Sequence, residues 1–505
     1  MKKASIFVMI VTVLSKLLGF VRETVLAAVY GPGAVSDAFI YAFGLPTKIF
    51  SLIAAAFVTG LIPMFTRIEG EKGEETANAF LNNVVHVVTV LCFLISGFFL
   101  LFTDLSLSLL LPSASAEALQ YLVPFTRITV FSVFFTSLIQ IFTGFLQIRD
   151  SFVFPMLMGF PMNIVVIATI YLSTIVGTWV LPYGILISYG VQALLILGYA
   201  RLKGFRYKFV FNLKDPDLKR MLVIAIPLII GASVGVFGGL VNEGIVSGVE
   251  GGISYLNYSS RVGGLISGIF ASSIISVMYP GISRSVSLHK VEEAKKETGD
   301  SLISILLFVL PSIVGITILA EPVLRFIYVR SEFTETHLQT LVPIFVFYTL
   351  AVLIDSIRML VTRVFYAYQD TKTPMINSII TIVIQAILAV VLFQFMGIMG
   401  VTLAMSIAHG STLIALLYQM KKLFKSFPVR HYLIQAGKLL LASALMGVVV
   451  FFAYGALTSS GNISSTVGLF VSIALGAVVY LTIVLMSRIE TVDTLIASIH
   501  RRLRR

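Results

Sequence analysis

The sequence predicts an all-α polytopic membrane protein with about 14 transmembrane helices. Apolar residues make up 58% of the 505 residues, charged residues make up 12%, and the mean hydropathy is +0.99. Soluble domains carry about 25% charged residues, which excludes a water-soluble fold. The apolar runs match the ~20 residues of a membrane-spanning helix and are too long and too unpatterned for transmembrane β-strands.

The predicted helices follow the apolar runs from the N-terminus onward. Lys16, Arg22 and Glu23 interrupt the first run and no small-residue cleavage site follows it, so we interpret it as a bent span and not as a signal peptide. The predicted spans are 4–30, 36–66, 79–103, 119–147, 152–173, 179–200, 218–247, 252–282, 299–327, 338–367, 373–395, 398–420, 434–456 and 465–487.

The basic residues predict the orientation of these spans. With the N-terminus inside, most of the 36 Lys and Arg residues fall in inside loops and tails, and only Arg325 and Arg330 fall in outside loops. The positive-inside rule then places both termini in the cytoplasm. The net charge of +12 is explained by this topology and by attraction to anionic lipid headgroups, and no nucleic-acid partner is predicted.

Short motifs recur along the chain at a nearly constant offset. Leu122-Val123-Pro124 recurs as Leu341-Val342-Pro343, and Pro155-Met156 recurs as Pro374-Met375. Each offset covers an even number of spans, which predicts a parallel pseudo-twofold repeat of two six-helix lobes, as in two-lobe transporters. The predicted domains are an N-terminal lobe at 1–215, a C-terminal lobe at 216–428, and two further helices with a basic cytoplasmic tail at 429–505.

Charged residues stand inside apolar segments, where each costs about 2.5–3.5 kcal/mol near the bilayer centre. They are therefore expected to face a protein interior or a wet cavity. Cations outnumber anions among them, which indicates an anionic cargo, and arginine presents a planar fork that suits phosphate. The candidate substrate-binding residues of this cavity are Arg22, Glu23, Asp37, Lys48 and Arg261.

Each candidate also has a purely structural interpretation. Arg22 and Glu23 can form an internal network that holds the lobes together. Ser36 or Asp37 can cap the second helix by accepting its free amides, and Lys48 can extend to the membrane surface. Arg261 is followed by Gly263 and Gly264, which let either another helix or a ligand headgroup approach closely.

A second set of polar residues is a candidate site for a coupling ion. Asn242 and Glu243 lie in span 7, and Asn377 and Thr381 lie on one face of span 11. Their oxygens can coordinate sodium or relay a proton. The alternative is a capped helix end near the outer interface.

The sequence contains no signature of enzyme or cofactor chemistry. Cys92 is the only cysteine, the six histidines lack paired spacing, and no phosphate-binding Gly-Lys-Ser/Thr loop occurs. The acidic inside loop at 69–75 lacks the paired aspartates expected of a metal-assisted transferase. We therefore predict a transporter that uses no cofactor and no nucleotide of its own, powered by the membrane potential or by a sodium or proton gradient.

A specific set of residues resembles the MurJ/MviN family, the lipid II flippases of peptidoglycan synthesis, within the multidrug/oligosaccharidyl-lipid/polysaccharide exporter superfamily. The resemblance covers essentially the whole chain, including the 14 predicted helices that distinguish this family from twelve-helix MATE drug exporters. It rests on Ser15, Gly19-Phe20-Val21-Arg22-Glu23, Gly31, Ser36-Asp37-Ala38-Phe39, Pro46, Ile62-Pro63, Ser254-Tyr255-Leu256-Asn257-Tyr258, Arg261 and Asp370-Thr371-Lys372-Thr373-Pro374.

The resemblance implies a central cationic cavity that contains Arg22, Asp37 and Arg261, and a lipid-tail groove lined by helices 13 and 14. Three departures stand out. The family often has an arginine where Phe50 or Ser51 stands and a Glu-Gly pair where Ala54-Ala55 stands. Lys48, on the adjacent turn, is the nearby cation and the candidate substitute, but as a point charge. The acid that often follows the arginine of span 8 by three residues is Gly264 here.

The predicted function is transport of lipid II, an undecaprenyl-pyrophosphate-linked disaccharide pentapeptide, from the cytoplasmic to the outer leaflet of the bacterial inner membrane by alternating access. Membrane lipids and the cell-wall synthesis machinery are the expected partners. Two alternatives stay open: a flippase for another polyprenyl-pyrophosphate-linked glycan, and a MATE-like multidrug exporter. A cavity dominated by cations matches cationic drugs poorly.

Overall fold

The structure is a computed structural model that describes residues 2–459 and 463–493. At 2–10, 50–59 and 224–234 it describes the backbone alone. Within these ranges the regular structure is helical, apart from a single β-bridge between Arg330 and Phe333. Helices satisfy every internal backbone hydrogen bond within one segment, which a chain of this hydropathy requires in lipid. The predicted all-α membrane fold is confirmed.

The helices of the first half, in chain order, are α1 Lys2–Tyr30, α2 Ala34–Lys72, α3 Glu74–Leu101, α4 Thr103–Leu110, α5 Ala116–Thr129, α6 Ser132–Ile148, α7 Val153–Leu157, α8 Gly159–Val176, α9 Val180–Leu202 and α10 Pro216–Val246. Those that follow are α11 Gly252–Ile266, a π-helical turn Ser267–Ala271, α12 Ser272–Ser287, α13 Val291–Ile318, α14 Ala320–Tyr328, α15 Glu335–Ala367, α16 Lys372–Met396, α17 Ile398–Leu423, α18 Val429–Ser459 and α19 Ser465–Met486.

Every predicted span overlaps helices of the structure, but the count of 14 is not confirmed. Among the described residues, 10 helices are long and apolar enough to cross a membrane, or 11 if the bent pair α5 and α6 is one span. The predicted span at 119–147 is therefore two helices that meet at 47°. The short helix α4 was not predicted, and part of the predicted basic tail, 494–505, lies outside the described residues.

The chain divides into two compact units. The first comprises the residues up to Ser254 together with Arg330–Phe333, and the second comprises Tyr255–Val329 and the residues from Thr334 onward. The core of the first unit forms where α2, α3, α6 and α9 pack together, around Phe65 and Phe145, whose rings meet edge to face at 5.6 Å. In the second unit, one core cluster forms around α13, α15 and α17, and another around α13, α18 and α19.

The first unit extends beyond the predicted lobe boundary at 215/216, because α10 packs along α2. Arg67 Nη2 donates to Asp217 Oδ1 at 2.6 Å. Gly60 lies so close to Met221 that an added Cβ would be 2.8 Å from that side chain. The boundary between the compact units therefore falls after Ser254, and the repeat of two six-helix lobes stays a prediction.

Two turns in the first unit bring the starts of α2 and α11 together. Gly31, with φ +62°, ends α1, and Gly251, with φ +70°, precedes α11. Both occupy the left-handed region that favours glycine. A Cβ on Gly251 would lie 2.9 Å from Pro32, so the absence of a side chain also permits the contact between the two turns.

Candidate functional site

Arg22 and Glu23 form a buried ion pair in the first unit. Arg22 Nη2 donates to Glu23 Oε1 at 2.5 Å, and Arg22 Nη1 donates to Oδ1 of Asn163 on α8 at 3.0 Å. Only 4% of the arginine and 3% of the glutamate side chain is exposed. The amide of Asn163 is in turn oriented by its own hydrogen bond to the Gly159 carbonyl, at 2.7 Å.

An aromatic stack covers the face of the Arg22 guanidinium. Its central carbon lies 4.1 Å from the ring centroid of Phe43 on α2, and Phe43 stacks at 5.6 Å on Tyr189 of α9. The guanidinium is therefore held at its edge by hydrogen bonds and at its face by a cation–π contact. The partners of this network all belong to the first unit. That the network holds the lobes together and that Arg22 binds substrate both stay predictions.

Lys48 and Glu243 form a second ion pair, between α2 and α10. The Lys48 ammonium donates to both carboxylate oxygens of Glu243, at 2.6 Å for Oε2, and lies 5.7 Å from the Tyr41 ring centroid. The two side chains are 25% and 18% exposed. The structure thus joins a residue predicted to bind substrate with a residue predicted to bind a coupling ion. Asn242, which precedes Glu243 in the chain, is buried.

Asp37 caps a helix, but not the one expected from the sequence. Its Oδ1 accepts hydrogen bonds from the backbone N–H of Ser254 at 2.7 Å and from the Ser254 hydroxyl at 2.5 Å. Ser254 is the third residue of α11, whose first-turn amides lack partners within the helix. The expectation that Asp37 caps α2 is wrong, because α2 begins after Gly33, which provides no side-chain cap.

Arg261 lies on α11 in the second unit, and its side chain is exposed. Its Nε donates to Oδ1 of Asn257, one turn earlier, at 3.1 Å. The two glycines that follow differ in their surroundings. A Cβ on Gly263 would lie 2.8 Å from both Tyr348 and Val352 of α15, whereas a Cβ on Gly264 would meet nothing within 4 Å. Gly263 therefore serves helix packing.

The candidate ion-binding residues of span 11 belong to a polar network inside the second unit. Asn377 donates to Gln419 at 2.7 Å, and Thr381 donates to Thr412 at 2.9 Å. Arg358 donates to Thr381 at 3.3 Å.

Arg358 connects this network to an acidic residue. Its Nε donates to Asp355, three residues earlier on the same helix, at 3.0 Å, and His409 Nδ1 lies 3.3 Å from the same carboxylate oxygen. In the described part of the chain, no three His, Cys, Asp or Glu side chains are grouped so as to hold a metal ion. The role of all four candidate coupling-ion residues, Asn242, Glu243, Asn377 and Thr381, stays a prediction.

An apolar cavity of about 850 Å³ lies in the second unit, between α13, α18 and α19. Its wall includes Phe270, Leu307, Pro311, Met446 and Val484. The two hydroxyl groups of its lining are already engaged with the backbone, since Ser312 donates to the Phe308 carbonyl at 2.7 Å and Tyr480 donates to the Leu307 carbonyl at 2.8 Å. The cavity therefore presents hydrocarbon.

Sequence reasoning missed several partners of the candidate residues. Asn163 and Phe43 contact Arg22, yet they belong to other helices and carry no motif of their own. Ser254 belongs to a motif of the family resemblance, but nothing in that motif indicates its contact with Asp37. The family departures at 50, 51, 54 and 55 fall on side chains outside the described residues.

Comparison with known proteins addresses the resemblance directly. A family model described as "Lipid II flippase MurJ" matches residues 26–480. A Rhizobium meliloti (strain 1021) protein named "Probable lipid II flippase MurJ" is 26% identical over 490 residues, which cover 92% of this chain and 91% of that protein. A Rhizobium tropici protein of the same name is 25% identical over 455 residues, which cover 87% and 84%.

A solved structure agrees with this family. One described as "Lipid II flippase MurJ, inward closed conformation" has a TM-score of 0.84 and 26% identity, and the match covers 97% of this chain and 100% of that one. A multidrug resistance MATE family transporter of the MOP superfamily has a TM-score of 0.69 at 16% identity, which shows a shared fold alone. The chain is a multi-pass membrane protein that belongs to the lipid II flippase MurJ family.

Proposed function

We propose that this chain moves lipid II from the cytoplasmic to the outer leaflet of the bacterial inner membrane by alternating access, as a transporter and not as an enzyme. The observation that carries the proposal is the match to the lipid II flippase MurJ family over residues 26–480. Lipid II couples an undecaprenyl hydrocarbon tail to a pyrophosphate-linked disaccharide pentapeptide, so the protein must receive both a long apolar chain and an anionic head.

The cavity of the second unit suits the tail. Its wall is apolar, and its two hydroxyl groups, those of Ser312 and Tyr480, already have backbone acceptors. A prenyl chain that enters this cavity therefore leaves no hydrogen-bonding group of the lining unsatisfied. Helices α18 and α19 would thus hold the tail.

The cationic residues suit the head. Arg22, Lys48 and Arg261 are proposed to bind the pyrophosphate, with Glu23 and Asp37 as positioning residues. Glu23 contacts Arg22 directly, and Asp37 caps α11, the helix that carries Arg261 about two turns further on. Arg261 is the most exposed of the three cations and therefore the first candidate to meet a phosphate.

The sequence supports the proposed orientation and energy source of the transporter. Both termini lie in the cytoplasm, as the distribution of lysine and arginine indicates. Transport is driven by the membrane potential or by a sodium or proton gradient, with Asn242, Glu243, Asn377 and Thr381 as candidate coupling-ion residues. The cell-wall synthesis machinery is the proposed consumer of the transported lipid.

The experiment is reconstitution of the full chain into liposomes with fluorescent lipid II, with the outer-leaflet fraction measured by quenching from outside. The test variant is Ala477→Trp, which places an indole in the cavity, and its matched control is Val478→Trp, on the next, exposed residue of α19. We expect the wild type and V478W to move lipid II, and A477W to lose most of the movement.

Three results would count against the proposal. Absence of lipid II movement in the wild type, with a potential and a sodium gradient imposed, would redirect the assignment to another polyprenyl-pyrophosphate-linked glycan. Equal lipid II movement by A477W and V478W would show that the cavity does not hold the tail during transport. Uptake of a cationic dye instead of lipid II would favour a MATE-like exporter.

A further inference from the structure

The segment at 205–214 joins α9 to α10 and forms neither helix nor strand. It nevertheless has the alternation of an extended strand, with Tyr207, Phe209 and Phe211 on one face. The exposed fraction of Tyr207 is 61%, and that of Phe209 is 74%. A contiguous row of exposed aromatic side chains marks an interaction surface.

Buried asparagines of α3 hold the backbone of this segment. The backbone N–H of Arg206 donates to Asn78 Oδ1 at 3.4 Å, and the Arg206 carbonyl accepts from Asn82 Nδ2 at 2.8 Å. The next alternate N–H, that of Lys208, donates to Asn82 Oδ1 at 3.1 Å. These amides replace the partners that a neighbouring strand would otherwise provide.

A third asparagine holds the far end of the segment. The Asn212 N–H donates to Asn83 Oδ1 at 2.7 Å, and the Asn212 carbonyl accepts from Asn83 Nδ2 at 3.0 Å. Asn83 is fully buried, and its Nδ2 also donates to Asp215 Oδ2 at 3.2 Å, so its amide is committed to this end of the segment. The segment is thus fixed at both ends, with its aromatic side chains facing outward.

His86, one turn further along α3, supports two of the aromatic rings. Its Nε2 lies 3.1 Å from the Tyr207 hydroxyl, and its ring packs edge to face on Phe209 at 4.8 Å. The exposed rings are therefore held in defined positions.

The position along α3 places the segment at the edge of the hydrocarbon. The apolar stretch of α3 runs over 84–101, which at 1.5 Å per residue is about 27 Å long, close to the ~30 Å of a bilayer core. Asn78, Asn82 and Asn83 precede this stretch directly. Tyrosine is enriched at this level because its amphipathic ring suits the headgroup boundary, and phenylalanine occurs on the apolar face of segments that lie in the interface.

The charge around the segment is strongly positive, and two acids near it, Asp217 and Glu75, face cations of the protein. Asp217 pairs with Arg67 and Lys72, and Glu75 lies 3.9 Å from Lys208 at an exposed position, where an ion pair is weak. The cations from the last turn of α9 to the start of α10 are Arg201, Lys203, Arg206, Lys208, Lys214, Lys219 and Arg220.

We propose that the segment at 205–214 is a fixed binding surface for anionic phospholipids of the bilayer. Tyr207, Phe209 and Phe211 enter the boundary between headgroups and acyl chains, and Arg206 and Lys208 contact lipid phosphates. The surface anchors the α9–α10 connection at the membrane. This inference needs the membrane-spanning fold and not the proposed substrate, so lipid II is left out of its test.

The experiment uses one tryptophan as a depth probe. Trp179 is the only tryptophan, and the full chain with Trp179→Phe and Phe209→Trp therefore reports from the segment alone. The protein is reconstituted into vesicles of phosphatidylcholine and phosphatidylglycerol at a fixed ratio, with bromine on the acyl chains of one lipid or of the other. The overall composition, and hence the surface charge, is the same in both sets.

We expect brominated lipid to quench the fluorescence of the introduced tryptophan, with bromine near the headgroup more effective than bromine deep in the chain. Per mole of brominated lipid, phosphatidylglycerol should quench the tryptophan fluorescence at least about twice as strongly as phosphatidylcholine, because each basic residue near the surface attracts anionic lipid. The double variant Arg206→Gln and Lys208→Gln should bring this ratio close to one. Lys421→Gln with Lys422→Gln, an exposed pair at the end of α17, removes the same charge and should leave the ratio unchanged.

Three results would overturn the proposal. Quenching by aqueous iodide with none by brominated lipid would place the segment in water and favour a protein partner. Equal quenching by both brominated lipids would show an apolar anchor without selectivity for anionic lipid. An unchanged ratio in the Arg206 and Lys208 variant would show that these cations do not bind the phosphates.

Discussion

Lys48 and Glu243 neutralise each other within the first unit, since the lysine ammonium donates to both carboxylate oxygens, at 2.6 Å for Oε2. Lys48 on α2, which is proposed to bind the pyrophosphate, is therefore paired with Glu243 on α10. A phosphate that binds Lys48 must compete with Glu243, so the pair can couple the arrival of the headgroup to the contact between the two helices.

A charge exchange tests this coupling. We expect Lys48→Met or Glu243→Leu alone to lower the free energy of unfolding by about 1.5–3 kcal/mol, because each removes the hydrogen bonds that the remaining charged group makes within the pair. The exchange variant, K48E with E243K, should recover thermal stability in detergent without recovering lipid II transport in liposomes. Full transport by the exchange variant would reduce the pair to a structural role.

Arg22 allows its structural and its substrate-binding roles to be separated. Arg22→Ala alone leaves the carboxylate of Glu23 buried, at a cost of about 3–5 kcal/mol, so its failure would be uninformative. The paired variant Arg22→Met with Glu23→Gln removes both charges together and should restore most of the stability. We expect it to insert and melt near the wild-type temperature and to transport no lipid II; near-normal transport would contradict the headgroup role.

Replacement of Arg22 by lysine should also impair both stability and transport. A lysine retains the charge but has no planar fork to bind Asn163 and Glu23 together while its face lies on Phe43. We expect R22K to lower both the melting temperature and the transport rate, as measured on the same preparation. A wild-type rate in R22K would show that a point charge is sufficient at this position.

The protein should tolerate the loss of the Asp37 charge but not the loss of the side-chain oxygen that accepts from Ser254. Asparagine also caps helices, so Asp37→Asn should still accept from the Ser254 N–H, whereas Asp37→Ala should cost about 0.5–2 kcal/mol. We expect D37N to keep most of the transport and stability and D37A to lose both, when each is compared with the wild type in liposomes and by thermal melting. Loss of transport in a stable D37N protein would instead assign a function to the carboxylate charge.

The neighbouring glycines of α11 should respond in opposite directions to alanine. Gly263→Ala forces a methyl group to 2.8 Å from Tyr348 and Val352 and should destabilise the second unit by about 1–3 kcal/mol. Gly264→Ala meets nothing within 4 Å and should stabilise α11 by up to about 1 kcal/mol. Thermal melting of the two variants provides the comparison, and equal melting temperatures would contradict the contact of Gly263 with α15.

The fold was largely predictable because its main determinant is local. Each predicted span coincides with a helix or a pair of helices, since a run of about 20 apolar residues must satisfy its backbone within lipid. The bend between α5 and α6 and the short α4 were not predictable from hydropathy, which does not report the direction of a helix axis. The family was also predictable, because the motifs around Arg22 and Asp37 are short and contiguous in the chain.

The candidate site was predictable as a set of residues and not as a set of contacts. Arg22 and Glu23 are adjacent in the sequence and form a pair, but Asn163, which completes the pair, has no distinguishing neighbourhood. Lys48 and Glu243 were assigned to different sites, because nothing in either segment indicates the other. Asp37 was expected to cap its own helix, which is the nearest one in sequence, and instead caps one that begins more than 200 residues later.

The sequence by itself determined that this chain is a helical membrane protein of the lipid II flippase MurJ family and which charges stand within its apolar segments. Hydropathy and short motifs are properties of contiguous residues, so folding is not needed to recognise them. The tertiary structure alone decided that Arg22 binds Asn163, that Lys48 binds Glu243 and that Asp37 binds Ser254. Such pairs depend on the rotation and packing of helices that are remote in sequence, and those are set by the whole of each compact unit.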